Sequence, residues 1–182
     1  MESLGVKKYS VIGHSMGGCM AQMMAVKFSD RMERLVIYGS ASRPNQKFRF
    51  EPPEVTRKRL KEGDLAGVAE DTTAAWFVEG RESPFFDFCL ECGRGITIDV
   101  ALAAAQAAST FDFEDQVTLI NVPTMVIGGD RERSFEPRAM LDLASKITNA
   151  VFCMIPATSH CAHLEKPEIF NQIVSDFLLE GR

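Results

Sequence analysis

The sequence predicts an α/β fold: a parallel sheet with flanking helices, interrupted by a helical cap insertion. Three observations carry this reading. Before residue 42 and after residue 116, short apolar runs of strand length alternate with segments of helical period. Between them the chain has helix-like patterns and no convincing strand. The first apolar run ends on a glycine-flanked serine that opens directly onto a helix-forming segment. Strands that alternate with helices make crossover units, and crossover units make parallel sheets.

The elements follow in order. "YSVIG" (Tyr9–Gly13) is an apolar run closed by glycine, as expected of a buried strand. Met16 to Ser29 is rich in Ala, Met and Gln, which favour helix. Met16, Met20, Met23 and Met24 fall on one helical face, expected to pack into the core. "RLVIY" (Arg34–Tyr38), "PTMVIGG" (Pro123–Gly129) and "AVFCMIP" (Ala150–Pro156) read as three more strands. The proline at the start of the third costs no ladder bond there. Helical patterns cover Glu136–Thr148 and Pro167–Gly181. In the latter, Ile169, Phe170, Ile173, Val174, Phe177 and Leu178 form an apolar stripe, with Pro167 suited to the first turn and Gly181 to the end.

Residues 1–41 and 117–182 thus form the core, and 42–116 form the cap. The cap opens on a Pro/Arg/Lys-rich linker, "SRPNQKFRFEPPEVTRKRLKEGD", before its helical pieces. Caps of this kind commonly supply the apolar wall of a pocket. Trp76, Phe77, Phe85, Phe86 and Phe88 are the candidates, with packing of the cap onto the core as their other role.

Composition narrows the partners. The net charge is −5 and no Lys/Arg-rich block stands out, which argues against nucleic acid or an anionic membrane as partner. No apolar run approaches the roughly 18 residues that cross a bilayer, and "MESLGVKKYS" does not read as a signal peptide. A cytoplasmic protein with reduced thiols is expected, since the five cysteines are scattered. Cys89 and Cys92 form a C-x-x-C without a second ligand pair, so packing or chance accounts for them. No metal and no cofactor are expected.

Gly13-His14-Ser15-Met16-Gly17 fits G-x-S-x-G between a strand and a helix, the setting of a nucleophile elbow. Such a turn lifts a hydroxyl above the carboxyl edge of the sheet. Gly13 and Gly17 are expected to leave room for the bend. The helix N-terminus offers free N–H groups, with Met16 N–H as an oxyanion donor. A serine hydroxyl needs a base. The chain has three histidines, His14, His160 and His163. His14 adjoins the serine and should point away from it, in a packed or hydrogen-bonded role. His160 follows the fourth strand, at the same sheet edge as Ser15, and is the expected base. His163 reads as a loop or cap residue. The acid should lie in "GGDRERSFEP", where Asp130 and Glu132 compete.

The chain resembles a capped α/β-hydrolase, most of all the branch with 3-oxoadipate enol-lactonases, small esterases and cofactor-free haloperoxidases. The matching pieces are "VIGHSMGG", "FSDRMERLVIYGSA", "LINVPTMVIGGDRE" and "HLEKPEIFNQIVSDFL". The resemblance implies Ser15 as nucleophile and His160 as base, with Glu165 and Pro167 in register. It puts the acid three residues after Gly129, on Glu132, with Asp130 as substitute. The usual glycine before the histidine is Ser159 here. The resemblance covers only the later part of the usual fold. Its early strands, and the His-Gly loop that would give a second oxyanion donor, have no counterpart. The elbow strand would then be an open edge, suited to self-association or to a complementing N-terminal segment.

Two functions follow as expectations. The first is a serine hydrolase acting on a small ester, lactone or similar acyl substrate through Ser15, His160 and Glu132 or Asp130, with Met16 and Trp76 at the substrate. The second is a truncated remnant, catalytically weak or inactive, acting in binding or assembly.

Overall fold

The computed structural model of the protein describes residues 5–43 and 50–180. Residues 44–49 of the expected linker, and Gly181 at the expected helix end, lie outside the described residues. The strands are β1 (Tyr9–His14), β2 (Met32–Tyr38), β3 (Thr124–Gly129) and β4 (Ala150–Ile155). The helices are α1 (Met16–Lys27), α2 (Pro53–Lys61), α3 (Leu65–Ala75), α4 (Phe86–Cys92), α5 (Ile98–Thr110), α6 (Pro137–Lys146), α7 (Ala162–Glu165) and α8 (Pro167–Ser175). A π turn over Asp176–Glu180 continues α8.

The four strands pair in parallel in the order β1-β2-β3-β4, with Ile12 opposite Val36, Ile37 opposite Val126, and Ile127 opposite Cys153. All six residues of β3 are buried, as is β2 from Leu35 to Tyr38, so their unbroken apolar runs belong to central strands. Alternation divides them between two cores. Leu35, Ile37 and Val126 pack with Ala21 and Ala25 of α1 and with Met140 and Leu143 of α6. Val36, Tyr38, Met125 and Ile127 pack on the other face with Phe170 and Val174 of α8. Burying each large aliphatic side chain is worth about 1.5–3 kcal/mol, and a register slip of one residue would exchange the two faces.

The methionine face of α1 departs from expectation. Met16, Met20 and Met23 are exposed, and only Met24 packs against the core. The buried face is Gly18, Cys19, Ala21, Gln22 and Ala25. The helix lies too close to the sheet for methionines to fit beneath it: a Cβ added at Gly18 would stand 2.5 Å from Ser40 Cβ. Small residues therefore make the contact. In α8 the apolar stripe is buried at Phe170 and Val174, half-buried at Ile173, Phe177 and Leu178, and exposed at Ile169.

Between β2 and β3 the chain makes the helices α2 to α5, and no strand falls in this segment among the described residues. Its two ends meet where Phe113 N–H donates to the Ser42 carbonyl (2.9 Å). Asp64 and Thr97 cap α3 and α5 by accepting from Gly67 N–H and Val100 N–H. Arg59 of α2 ties Glu51, Asp64 and Asp71 together, at 2.6, 2.8 and 2.9 Å. Of the cap aromatics, Phe77 is fully buried and Phe88 faces solvent.

Candidate active site

The chain leaves β1 at His14 and enters α1 at Met16, with no residue to spare for a loop except Ser15. Ser15 takes φ 56° and ψ −120°. A non-glycine residue held there stores about 1–3 kcal/mol. The surrounding bonds hold it: Ser15 N–H donates to the Tyr38 carbonyl (2.8 Å), and the Ser15 carbonyl accepts from Gly18 (2.9 Å) and Cys19 (3.3 Å). A Cβ at Gly13 would meet the Gly17 carbonyl at 2.3 Å, so the bend requires glycine there. Gly17 is different from expectation, because a Cβ at that position meets nothing within 4 Å. The second glycine that space demands is Gly18. Met16 and Gly17 open the helix, where N–H groups have no intrahelical acceptor.

His160 lies on the loop after β4, and Glu132 on the loop after β3. The two meet in a buried hydrogen bond of 2.7 Å between His160 Nδ1 and Glu132 Oε2. Glu132 Oε1 accepts from the backbone N–H groups of Arg133 (2.8 Å) and Ser134 (2.7 Å), so the carboxylate is fully satisfied and aimed at the ring. With Nδ1 donating to the carboxylate, His160 Nε2 is left free to accept a proton. Asp130 is turned elsewhere: its Oδ1 accepts from Thr158 N–H (3.3 Å) and Oδ2 faces Arg131 (3.8 Å). Close approach requires Gly39, at φ +52°, beside this pair: a Cβ there would lie 3.1 Å from His160 Nδ1 and 3.3 Å from Glu132 Oε2.

Ser15 joins the pair through its neighbour. His14 Nε2 lies 2.9 Å from the His160 carbonyl, and the two rings are 4.5 Å apart. A direct hydrogen bond from the Ser15 hydroxyl to His160 is not among the contacts of the described residues. His14 stacks on Tyr38 at 4.2 Å, and the Tyr38 hydroxyl bonds His163 Nδ1 (3.0 Å) and accepts from His163 N–H (3.2 Å). Burial first, then the neighbouring His160 and His163, push the His14 pKa down to about 3. Burial and His160 lower that of His163 as well, and burial raises that of the Tyr38 phenol.

Residues of the segment between β2 and β3 pack against this edge. Trp76 stands 6.3 Å from the His160 ring, and its carbonyl accepts from Cys161 N–H (3.1 Å). Glu165 bridges cap and loop, accepting from Val78 N–H (2.8 Å) and Ser159 N–H (2.6 Å). The Ser159 hydroxyl donates to the Ala75 carbonyl (3.2 Å). Phe135 stacks on His160 at 6.3 Å. Sequence reasoning missed Phe135, Tyr38 and Gly39. Only the place of Tyr38 and Gly39 at the end of β2, beside the elbow, could have pointed to them.

A cavity of about 580 Å³ adjoins Glu132, lined by Val78, Asp130, Arg131, Arg133, Glu136 and Arg138 among others. A second, of about 320 Å³, lies between α3 and Arg133. The expected aromatic wall is absent from both, since Trp76, Phe85, Phe86 and Phe88 line neither, and charged side chains dominate the larger one. Among the described residues no three His, Cys, Asp or Glu side chains converge as metal ligands, and no helix is long and apolar enough to cross a membrane.

A parallel sheet that carries a strained serine turn and a carboxylate-bound histidine on one edge has the architecture of a hydrolase sheet. This chain belongs to the α/β hydrolase fold family, whose model matches residues 1–167. It is 22% identical over 181 residues to 3-oxoadipate enol-lactonase 2 of Acinetobacter baylyi, a match covering 96% of this chain and 65% of the relative. It is 27% identical to a putative carbamate hydrolase, RutD, of a Caulobacter species, over 98% of this chain and 68% of the relative. The crystal structure of an enol-lactonase from Burkholderia xenovorans superposes with a TM-score of 0.86 at 23% identity, covering 98% of this chain and 68% of that one. The chain thus spans about two thirds of the length of the relatives it matches.

Proposed function

We propose that the protein hydrolyses a small ester, lactone or similar acyl substrate through an acyl-serine intermediate. The observation that carries this is the buried His160–Glu132 bond, gripped through His14 by the turn that presents Ser15. His160 Nε2 takes the Ser15 proton as Oγ attacks the substrate carbonyl. Met16 N–H stabilises the oxyanion that forms. The imidazolium, held by Glu132, returns its proton to the leaving oxygen. Water then repeats the sequence on the acyl-serine and releases the acid. In this mechanism the Ser15–His160 hydrogen bond forms as substrate binds, since hydroxyl–imidazole bonds commonly tighten only in the complex. Relatives named for lactone and carbamate hydrolysis support carbonyl chemistry of this class. Trp76 in the cap forms part of the substrate side of the site.

The test is a fluorophosphonate probe and p-nitrophenyl acetate, applied beside Ser15→Ala. Labelling and turnover are expected in the parent and lost in the variant. Equal labelling of both proteins would remove Ser15 as nucleophile.

A further inference from the structure

Resting on the hydrolase reading, we infer that His14, the second residue of the G-x-S-x-G turn, is a positioning residue for the base: its Nε2–H holds the His160 backbone and so sets the ring against both Glu132 and Ser15. His160 is then fixed at two atoms. Its Nδ1 is held by Glu132 at 2.7 Å, and its carbonyl by His14 at 2.9 Å. The first bond sets how the ring is turned. The second sets how far the loop stands from the elbow, because Ser15 is the next residue along from His14.

The carbonyl can only accept, so Nε2 of His14 carries the proton and Nδ1 is bare. His14 is itself held firmly. It stacks on Tyr38 at 4.2 Å with ring planes 17° apart. Tyr38 sits at 2% exposure at the end of β2, and its hydroxyl is bonded to His163. The His163 ring stands edge-on to His14 at 5.5 Å. The chain of contacts runs from the core strand β2, through Tyr38 and His14, to the loop that carries the base.

Charge supports the same role. The titratable groups packed around His14 are His160, His163 and Tyr38. With its pKa near 3, His14 remains neutral in the range where a histidine base works. It therefore keeps one tautomer and adds no second positive charge beside the imidazolium that forms on His160. A misplacement of about 1 Å in a catalytic group can cost about 10²-fold in rate, so a device that fixes this spacing should read in kcat.

Two variants separate the donor from the ring. His14→Phe keeps a stacked ring and removes the donor. His14→Gln removes the ring and restores an N–H at similar reach. We expect His14→Phe to lower kcat about 10- to 100-fold with KM little changed, and His14→Gln to recover most of that loss. The second readout needs no turnover: the proton shared by His160 and Glu132 gives a far-downfield NMR resonance. It should broaden or move in His14→Phe and return in His14→Gln. Absence of Ser15-dependent labelling in the parent would count against the hydrolase reading, while the resonance still decides the positioning role. Unchanged kcat and resonance in His14→Phe, or equal impairment in two folded variants, would overturn it. Should His14→Phe not fold, the ¹⁵N spectrum of the parent decides: a proton on Nδ1 of His14 in place of Nε2 overturns the inference.

Discussion

At the scale of single residues, the two carboxylates after β3 show how little separates a buried partner of His160 from a bystander. Asp130 leaves the strand first, yet its side chain turns back to Thr158 and stays partly exposed. Glu132, two residues on, is fully buried and takes two backbone N–H bonds on one oxygen and His160 on the other. In the proposed mechanism, neutralising Glu132 should remove the charge that supports the imidazolium. Glu132→Gln is expected to lower kcat about 10³–10⁴-fold, the scale seen when a triad carboxylate becomes an amide. Asp130→Asn should change the rate little, as a half-exposed substitution worth about 0.5 kcal/mol would. Steady-state kinetics on the pair decide the matter, and a harsher Asp130→Asn would reverse the assignment. Gly39 adds a third site: in Gly39→Ala the new methyl would crowd His160 and Glu132 in a backbone region that disfavours side chains. Activity should fall with a larger proportional change in kcat than in KM.

At the scale of elements, α1 is the informative case. Two adjacent glycines at its start have opposite environments. A methyl at Gly17 meets open space, and one at Gly18 meets Ser40 at 2.5 Å. Gly17→Ala should stabilise the protein by up to about 1 kcal/mol, the helix preference for Ala over Gly. Gly18→Ala should destabilise it, because the helix must lift off β2 or Ser40 must move. Urea melts of the two variants would show midpoints displaced in opposite directions. This same element marks the limit of what could be read from residues alone. The strands, the elbow and the late helices were legible because apolar runs and glycine-bounded turns leave local patterns, but the expected burial of the first run was not met: in β1 only Gly13 is buried, because the strand lies at the edge of the sheet. The meeting of His160 with one of the two acids after β3, on the edge that carries the Ser15 turn, was legible because the proposed nucleophile, acid and base must leave the sheet at one edge in a set order; that the acid is Glu132 and not Asp130 is shown by the side-chain geometry. The methionine face was not legible. Periodicity gives a face, but which face is inward depends on how closely the helix approaches the sheet, and small residues at Gly18, Ala21 and Ala25 set that distance. Phe135 and Tyr38 escaped for a related reason, since the contacts of Phe135 with His160 and of Tyr38 with His14 and His163 are made by segments that only the folded chain brings together.

At the scale of the whole molecule, two consequences follow from what is buried and what is not. His14 is held neutral, with a pKa near 3 in the fold against about 6.5 in an unfolded chain. Between those values the unfolded chain binds the extra proton. The contribution to stability is complete above about pH 6.5 and drains away as pH falls toward 3, by up to about 1.4 kcal/mol per unit for one proton. The lowered His163 acts in the same direction. Denaturation midpoints measured from pH 7.5 downward should fall through this window, and His14→Gln should flatten the slope; an unchanged slope in the variant would refute the linkage to His14. The second consequence concerns β1. Among the described residues it pairs with β2 on one side only, and its other edge presents N–H and C=O groups without a strand partner. Ile12 on this strand is 50% exposed, and α1 beside it leaves Met16, Met20 and Met23 in solvent. None of these four side chains is charged. For this 182-residue chain we propose that a second copy pairs along that edge, strand against strand. Sedimentation velocity over a range of concentrations should show dimers or larger species growing with concentration. Ile12→Lys should return the chain to monomer by placing a charge where two strands would meet. A parent protein that stays monomeric throughout, or an Ile12→Lys variant that associates as before, would mean that β1 does not carry the contact.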